Sequence, residues 1–294
     1  MTSAAKLLRW YKQHGRNLPW RRTRDPYRIL VSEIMLQQTQ VERVIAFYRA
    51  WLRTFPTWKR LRLASNEEVI RLWSGLGYNR RALMLRDIAV QVSELGVPQT
   101  EEDWQSLKGI GPYTAAAISA FAQKKRTMPI DTNIRRVLGR LLLGKPYPQP
   151  KIDTEILDHV ELFLPKIGAY YDVPQAIFDL ATSICTKVPD CRRCPLRIEC
   201  KASKQFLSGN VRIPKQMVQK PIEQRHRTKQ YPDRIYRGRI LAIVTKKMKT
   251  SFKEIGSLID PTFDFALDQE WIERMIERMK QDGLVRTNKK TISL

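Results

Sequence analysis

The sequence predicts a mainly α-helical fold with a small α+β domain at its C-terminal end. Through the first 200 residues, apolar side chains recur at three- and four-residue spacing, and short breaks rich in Gly, Pro and Asn separate these segments. We find neither the sustained alternation that is typical of a sheet nor an internal repeat there. A basic, Pro-punctuated linker follows over residues 206–234, and the pattern changes after it.

The charge of the chain predicts a polyanionic partner. The chain has 294 residues, and 53 Lys and Arg against 29 Asp and Glu leave a net charge of +24. Such an excess favours binding to nucleic acid through phosphate neutralisation and counterion release. An anionic membrane surface is the main alternative, but we see no basic amphipathic anchor. Structural RNA-binding proteins share this balance, so charge predicts a partner and not a reaction.

The apolar segments argue against a membrane or secreted protein. The hydrophobic fraction is 43%, and no apolar run approaches the roughly 20 residues that span a bilayer. The first residues, MTSAAKLLRWYKQHG, lack the apolar centre of a signal peptide. We therefore expect an intracellular protein, cytoplasmic or associated with the nucleoid, that has no membrane partner and acts as a monomer.

The stretch SEIMLQQTQVERV, residues 32–44, combines an apolar pattern with a carboxylate and several amides. Helical spacing places much of this run against a core. A solvated helix face would more often carry Lys and Glu than Gln37 and Gln38. Glu33 at the start of the run therefore indicates a helix that lines a polar pocket.

The four cysteines lie in one short segment, Cys185-TKVPD-Cys191-RR-Cys194-PLRIE-Cys200. Clustering of this kind without a secretion signal argues against a disulfide framework. Short loops let four thiolates converge on one metal centre. Zinc and a [4Fe–4S] cluster both accept four thiolates, and the spacing alone does not separate them.

The segment LKGIGPYTAAAISAF predicts a tight turn followed by a helix of small residues. Gly109 and Gly111 permit a turn that exposes backbone N–H groups at the positive end of that helix, which suits a phosphate. No strand precedes the turn, so it is not a nucleotide-binding βαβ fingerprint. A GxG turn between helices is, by itself, a weak signal.

Asp131 precedes a basic amphipathic helix in MPIDTNIRRVLGRL, where an Asp commonly serves as the N-cap. Asn133 follows closely, and Glu33 is a candidate partner carboxylate. One neutral carboxylic acid and one ionised carboxylate form the arrangement that cleavage of a glycosidic bond requires.

Residues 235–294 predict a small α+β domain. We expect helices over Ile235–Lys247, from near Ser251, and over Asp268–Gln281, followed by two short strands joined at Thr287-Asn288-Lys289. Three helices and a basic hairpin indicate a winged-helix-like domain. A helical appendage without a role in nucleic-acid binding is the alternative.

Several of these motifs together resemble one family. The segments LPWRRTRDPYRILVSEIMLQQTQV, LWSGLGYNRRA, LKGIGPYTAAAI, IDTNIRRVLGR and QAIFDLATSICT, followed by the cysteine loop, resemble helix-hairpin-helix (HhH-GPD) base-excision DNA glycosylases, and among them the MutY-like adenine glycosylases. The resemblance covers roughly residues 5–205. It implies a cluster-bearing helical domain over 1–23 and 131–205 and a six-helix barrel domain with the hairpin over 24–130. It also implies that the cysteine loop holds a [4Fe–4S] cluster.

The resemblance assigns roles to the candidate catalytic residues. Glu33 matches the acid that protonates the purine at N7, and burial near apolar residues helps to keep it protonated. Asp131 matches the ionised carboxylate that stabilises the oxocarbenium ion of the sugar. Tyr113 and Asn133 match positions that support these two carboxylates.

Further matches concern double-stranded DNA that carries a mismatch or lesion. Gln37 and Gln38 match a helix that reaches into the duplex from the minor groove, and Tyr78 matches an aromatic wedge beside the base opposite the flipped one. Flipping costs a few kcal/mol of stacking and pairing, which such contacts offset. The residues that match the lining of the adenine pocket are Leu18, Trp20, Arg21 and Gln175.

The hairpin and the C-terminal domain refine the expected reaction. Bifunctional relatives carry a lysine where this chain has Tyr113, and Lys108 lies before the first glycine, so we expect a monofunctional glycosylase. The chain departs from the family pattern in a first cysteine spacing of five residues, in Asn79, and in a winged-helix-like domain where a Nudix-like domain would read 8-oxoguanine. Hypoxanthine, or T or U opposite G, are therefore alternative substrates, and a non-catalytic cluster-containing DNA-binding protein is a further alternative.

Overall fold

The computed structural model of the chain describes residues 1–214, 223–288 and 290–294 and is mainly helical, as predicted. None of the described helices has both the length and the apolar surface needed to cross a bilayer. The α-helices of the described N-terminal residues are α1 (Ser3–His14), α2 (Pro26–Leu36), α3 (Val41–Thr54), α4 (Trp58–Arg62), α5 (Asn66–Trp73), α6 (Arg80–Leu95), α7 (Glu101–Ser106), α8 (Pro112–Phe121), α9 (Thr132–Leu143), α10 (Asp153–Phe163), α11 (Val173–Ser183) and α12 (Ser203–Leu207).

Short polar sequences fix where several of these helices begin. The Ser65 hydroxyl accepts a hydrogen bond from the Glu68 N–H (3.1 Å), and the Glu68 carboxylate accepts one from the Ser65 N–H (2.8 Å). Thr100 and Asp103 form the same reciprocal pair at the start of α7. These capping boxes satisfy backbone donors that a helix otherwise leaves open.

The described residues form two compact units, one from residues 1–30 and 98–214 and one from residues 31–97, 223–288 and 290–294. In the first unit α9 and α11 pack together, and α1 packs on α11. The predicted domain boundaries at residues 23, 130, 205 and 234 stay a prediction. Residues 215–222 of the predicted linker and Lys289 of the predicted turn lie outside the described residues.

The stretch 32–44 differs from the single helix that its apolar pattern indicated. Helix α2 ends at Leu36, a turn follows, and α3 begins at Val41. Gln38 lies in that turn with a left-handed backbone, φ 54°. A non-glycine residue pays a steric penalty there, which the local structure must offset. The prediction of one continuous helix was therefore wrong, and the glutamines lie beyond a helix end.

The C-terminal residues have the order helix, strand, helix, helix, strand, strand that defines a winged helix. The three strands form an antiparallel sheet in the order β1–β3–β2, with Thr250 opposite Ile292. The sequence predicted the two hairpin strands but not β1, which is too short to show alternation. The elements are α13 (Asp233–Lys247), β1 (Lys249–Ser251), α14 (Phe252–Ile259), α15 (Phe265–Gln281), β2 (Arg286–Thr287) and β3 (Thr291–Ser293).

This winged-helix domain shares a core with the rest of its unit. Ile70 of α5 is 1% exposed and belongs to the same buried cluster as Ile240 and Ile276. Arg71 donates to the carbonyl of Thr245 (3.3 Å). The C-terminal domain is therefore packed on α5 and is not an appendage that is separate from the Val31–Val97 segment.

Candidate active site

The turn between α7 and α8 has the form that its two glycines predicted. Gly109 has φ +103°, which L side chains rarely adopt, and Gly111 is the N-cap of α8. Leu107 (3% exposed) and Ile110 (6%) anchor the turn, while its glycines are exposed. The turn therefore offers backbone at the positive end of a ten-residue helix, which suits a phosphate group. Tyr113, in the first turn of α8, is half-buried.

Asp131 is the N-cap of α9, and its carboxylate is held by three donors. One oxygen accepts from the backbone N–H groups of Asn133 and Ile134, both at 2.8 Å. The other oxygen accepts from the Asn133 side-chain amide at 2.7 Å. These donors and the helix N-terminus complement a negative charge and fix the direction of the carboxylate. Asp131 thus serves as a cap and is also a partly exposed, oriented carboxylate.

A partly buried arginine continues this network toward the first cysteine. Arg136 donates to the side-chain oxygen of Asn133 (3.0 Å) and to the carbonyl of Ala181 (3.0 Å). Its Nε donates to the carbonyl of Cys185 (2.8 Å). The position of Asn133, and through it that of the Asp131 carboxylate, therefore depends on Arg136.

The four cysteines line one small cavity, together with Arg140 and Arg197. Burial raises the pKa of Cys194 to about 12 and also raises those of Cys191 and Cys200. Among the described residues, no group of three or more His, Cys, Asp or Glu side chains is close enough to hold a single metal ion. The convergence of all four thiols on one cavity is nevertheless the arrangement that a bound inorganic cluster needs.

Arg140 holds the cysteine loop in place. This side chain is 2% exposed, donates to the carbonyls of Thr186 (2.6 Å) and Lys187 (3.0 Å), and lies 3.4 Å from the Cys185 sulfur. A cation in this position complements thiolate charge. The loop is thus fixed by the same helix that carries Asp131.

The structure brings two of the predicted pocket residues, Arg21 and Gln175, together, and Arg21 also has an ion-pair partner outside the predicted set. Leu18 and Trp20 are buried, at 6% and 5% exposed. The Arg21 guanidinium donates to both oxygens of Asp179 (2.7 and 2.9 Å) and weakly to the carbonyl of Gln175 (3.5 Å). Arg21 is therefore fixed beside the predicted pocket by an ion pair.

Asp179 is a residue that the sequence argument missed. It is 2% exposed and also accepts from the backbone N–H and the Nε of Arg16. Burial alone would raise its pKa, but the hydrogen bonds and charge of Arg21 and Arg16 outweigh burial and lower the pKa. Asp179 lies in the apolar segment QAIFDLATSI, and a carboxylate in an apolar segment is the same signal that indicated Glu33. The sequence therefore did contain a signal for Asp179.

Glu33 lies in α2 and is 6% exposed. Its neighbours Ser32 and Ile34 are completely buried. A carboxyl group in such a place is a candidate acid of the kind that the sequence predicted. Glu33 belongs to the second unit and Asp131 to the first, and their pairing stays a prediction.

One buried arginine links the predicted DNA-binding residues of the second unit. Arg81 is 7% exposed and donates to the carbonyls of Ile34 (2.9 Å), Gln37 and Gly77 (3.0 Å). Burial lowers its pKa to about 10. Its guanidinium also lies 5.2 Å from the ring centre of Tyr78. Arg81 thus joins the end of α2 to the turn between α5 and α6.

Tyr78 and Gln38 are both exposed and both strained. Tyr78 is 56% exposed with φ 49°, and Gln38 has φ 54°. Left-handed backbone at non-glycine residues is uncommon and is concentrated at functional sites. The two exposed side chains are therefore presented by a backbone that the surrounding contacts impose.

Comparison with known proteins gives a consistent result. Residues 31–161 match the family described as HhH-GPD superfamily base excision DNA repair protein. The chain is 35% identical over 288 residues to the adenine DNA glycosylase of Mycolicibacterium smegmatis, covering 94% of this chain and 93% of that protein. It is 38% identical over 200 residues to the adenine DNA glycosylase of Mycobacterium tuberculosis (strain CDC 1551 / Oshkosh), covering 66% of each chain.

A solved structure supports the same conclusion. A thermostable thymine-DNA glycosylase is similar with a TM-score of 0.64 and 27% identity, covering 69% of this chain and 95% of that chain. The chain belongs to the HhH-GPD superfamily of base excision DNA repair proteins. The predicted resemblance and the predicted helical fold class are confirmed.

Replacing Asp179 by Asn tests the buried ion pair. The variant leaves Arg21, whose side chain is 8% exposed, without its counter-charge, so we expect a loss of about 3–5 kcal/mol in the free energy of unfolding. Denaturant unfolding at neutral pH measures the loss. Glu67→Gln, which removes an exposed pair with Arg71, is the control and should change stability by less than about 1 kcal/mol.

The same pair predicts a pH dependence. Because the folded-state pKa of Asp179 is lowered, its contribution is present above the unfolded value of about 3.9 and is lost as the pH falls through the lower folded value. The difference in stability between the wild type and Asp179→Asn should therefore shrink below about pH 4. A difference that persists at lower pH would contradict this account.

Replacing Arg136 by Met tests whether this side chain positions Asp131 through Asn133. Loss of a hydrogen bond worth about 1.5–3 kcal/mol predicts base release that is slower by about 10- to 100-fold, with affinity for DNA unchanged. Single-turnover kinetics and a binding titration separate the two effects. Arg126→Met is the control, because Arg126 pairs with Glu161 and donates to the carbonyl of Leu164 (2.9 Å), away from Asp131, and should affect stability only. Equal rate losses in both variants would refute the positioning role.

Proposed function

We propose that this protein is a monofunctional DNA glycosylase of base excision repair, which flips a mismatched adenine opposite 8-oxoguanine or guanine and hydrolyses its N-glycosidic bond. The observation that carries the proposal is the Asp131 carboxylate, which three N–H donors orient at the start of α9. Glu33 supplies a second carboxyl group, which is buried, whereas that of Asp131 is partly exposed. Similarity over 94% of the chain to a protein named adenine DNA glycosylase supports adenine as the base.

The two carboxyl groups perform different steps in this proposal. Glu33 transfers its proton to N7 of the adenine as the C1′–N9 bond breaks and its electron pair moves to the base, so that the base leaves neutral. Asp131 stays ionised and stabilises the positive charge that develops on the sugar. Water then adds at C1′ and releases a proton, which leaves an abasic site. Tyr113, at half-buried depth in α8, supports this site and supplies no amine for a Schiff base.

The surface groups account for binding of the duplex. The Gly109–Gly111 turn holds a backbone phosphate at the start of α8, and the phosphate fixes the register of the DNA. Gln38 enters the duplex from the minor groove, and Tyr78 inserts beside the base opposite the flipped one, where stacking offsets the few kcal/mol that unpairing costs. The protein acts on DNA as a monomer in this proposal.

In this proposal the cysteine loop holds a [4Fe–4S] cluster, which the convergence of its four thiols on one cavity supports. Cys185, Cys191, Cys194 and Cys200 would each supply one thiolate, and Arg140 would complement the charge of Cys185. When bound, the cluster joins four points of the loop and so stabilises its fold. The chain's own residues around it, Arg136 and Arg140, keep the loop attached to α9.

The likeness to a thymine-DNA glycosylase favours a second candidate, release of T or U opposite G. Buried Glu33 favours the purine, since an acid is needed where a purine leaves through protonation at N7. Contacts in the base pocket determine whether adenine or T or U opposite G is released, and assays on a panel of substrates distinguish the two.

Substrate preference can be measured on labelled duplexes that carry A:8-oxoguanine, A:G, hypoxanthine:T, T:G or U:G. We expect abasic sites from the adenine strands, with strand cleavage only after alkali and no borohydride-trapped complex. Release only from T:G and U:G would establish the second candidate. Cleavage without alkali, or trapping by borohydride, would overturn the monofunctional assignment.

The same assay tests the two carboxyl groups. Glu33→Gln removes the transferable proton and Asp131→Asn the negative charge, so each should lower base release by at least about 100-fold. Duplex affinity should be unchanged, which also excludes unfolding as the cause. Lys108→Ala is the control and should keep full activity. Full activity in either carboxyl variant would remove that residue from the mechanism.

Metal analysis tests the proposed [4Fe–4S] cluster directly. We expect anaerobically purified protein to be brown and to contain iron and inorganic sulfide in equal amounts. Cys194→Ser should lose iron and unfold at a lower temperature, with Ser208→Ala as the control. Stoichiometric zinc without sulfide would show instead that the four thiolates hold a single ion.

A further inference from the structure

A cleft in the second unit has walls from two distant parts of the sequence. One wall is the turn between α5 and α6, and the other is α13 of the winged-helix domain. Its volume is about 820 Å³, within the range of about 300–1,000 Å³ of ligand-binding clefts. The shared core around Ile70 fixes the two walls relative to each other. The cleft is therefore a built feature of this unit.

The lining of the cleft is strongly basic and includes the exposed Tyr78. Six arginines line it, and no Asp or Glu does; they are Arg43, Arg80, Arg81, Arg234, Arg237 and Arg239. Two carboxylates pair with these arginines: Asp282 is 3.4 Å from both Arg80 and Arg237, and Glu223 is 2.9 Å from Arg234. Six cations against two anions leave a net positive cleft with an aromatic ring at its edge.

The third helix of the same domain has the opposite character. Helix-turn-helix proteins place the N-terminal residues of this helix in the major groove. From Asp264, the N-cap of α15, to Glu273 there is no Lys or Arg, and Glu270 and Glu273 are exposed. Helix α13 has one acidic residue, Asp233, and five basic residues: Arg234, Arg237, Arg239, Lys246 and Lys247. Phosphates would be repelled by the start of α15 and attracted by α13.

We propose that the winged-helix domain binds DNA through its first helix, and that the cleft between α13 and the Gly75–Asn79 turn holds the strand opposite the excised base. Phosphates of that strand contact Arg234 and Arg237, whose side chains are 59% and 35% exposed, and a base stacks on Tyr78. This inference rests on the proposed glycosylase function, which assigns Tyr78 to the opposite strand. It makes the C-terminal domain part of the surface that senses the opposite nucleotide.

The test uses the full chain and a duplex with one A:8-oxoguanine pair. Binding is measured over a series of KCl concentrations in the Glu33→Gln background, so that the substrate is not consumed. Each phosphate contact contributes about 0.9 to the slope of log K against log salt, so Arg234→Gln/Arg237→Gln should lower the slope by about 1.8. The matched control is Arg274→Gln/Arg278→Gln on α15, which should leave the slope unchanged.

A second measurement locates the strand. Neutral methylphosphonates replace phosphates that flank the 8-oxoguanine or, in a second duplex, those that flank the adenine. Compared with the unmodified duplex, the first modified duplex should bind the parent protein less tightly but should bind Arg234→Gln/Arg237→Gln with the same affinity. The second modified duplex should lose the same affinity for both proteins. Arg234→Lys/Arg237→Lys should restore the slope, which separates loss of charge from loss of fold.

The outcomes distinguish the inference from the function on which it rests. If wild-type protein releases adenine but the α13 double variant keeps the full salt slope, the inference is wrong and the proposed function stands. If the α15 control lowers the slope instead, the third helix binds DNA and the inference is wrong. If no duplex in the panel loses a base, the proposed function fails, even where the α13 variants still reveal a DNA-binding cleft.

Discussion

Helix α9 is the element on which the candidate site depends. Its N-cap is Asp131, and Asn133, Arg136 and Arg140 follow at spacings that keep them on one side of the helix. Along that side, hydrogen bonds run from the carboxylate to the backbone of Cys185. The candidate catalytic group and the cysteine loop are therefore parts of one hydrogen-bonded structure, and a change in the loop alters the position of the carboxylate.

Close packing around α9 explains why its sequence mixes basic and very small residues. Gly139 leaves no room for a side chain, since a Cβ there would lie 2.7 Å from the ring of Pro148. Arg140, one residue later, fills the space toward the cysteine loop and donates to three carbonyls. Two adjacent residues thus position the helix: Gly139, which allows close approach of Pro148, and the buried Arg140, which binds the cysteine loop.

Several arginines that contribute to the net charge are structural, which limits what charge alone can predict. Arg21, Arg81 and Arg140 are each less than a tenth exposed at the side chain or residue level, and all of them bind carbonyls or a carboxylate within the fold. Guanidinium groups suit this task because five donors in a plane satisfy several acceptors at once. Composition correctly indicated a nucleic-acid partner, but it could not tell these arginines from those of the surface.

What the sequence could predict follows from how local each feature is. The helices, the glycine turn and the Asp131 cap depend on residues near each other in the chain, so periodicity and turn chemistry sufficed. The turn after Leu36 was missed because an apolar pattern can continue through two helices. The apolar segment around Asp179 marked it as unusual, but its ion pairs could not be predicted because Arg16 and Arg21 lie more than 150 residues away in sequence.

The winged-helix domain shows the same limit at the level of a whole domain. Its order of helices and strands was readable from the sequence, but fold order alone would assign DNA binding to α15. The charges argue otherwise, because the start of α15 offers acids and α13 offers arginines beside Tyr78. Only the packing of this domain on α5 brings α13 to that turn. The surface that a familiar fold uses is thus decided by what the fold is packed against, and here that contact favours its first helix.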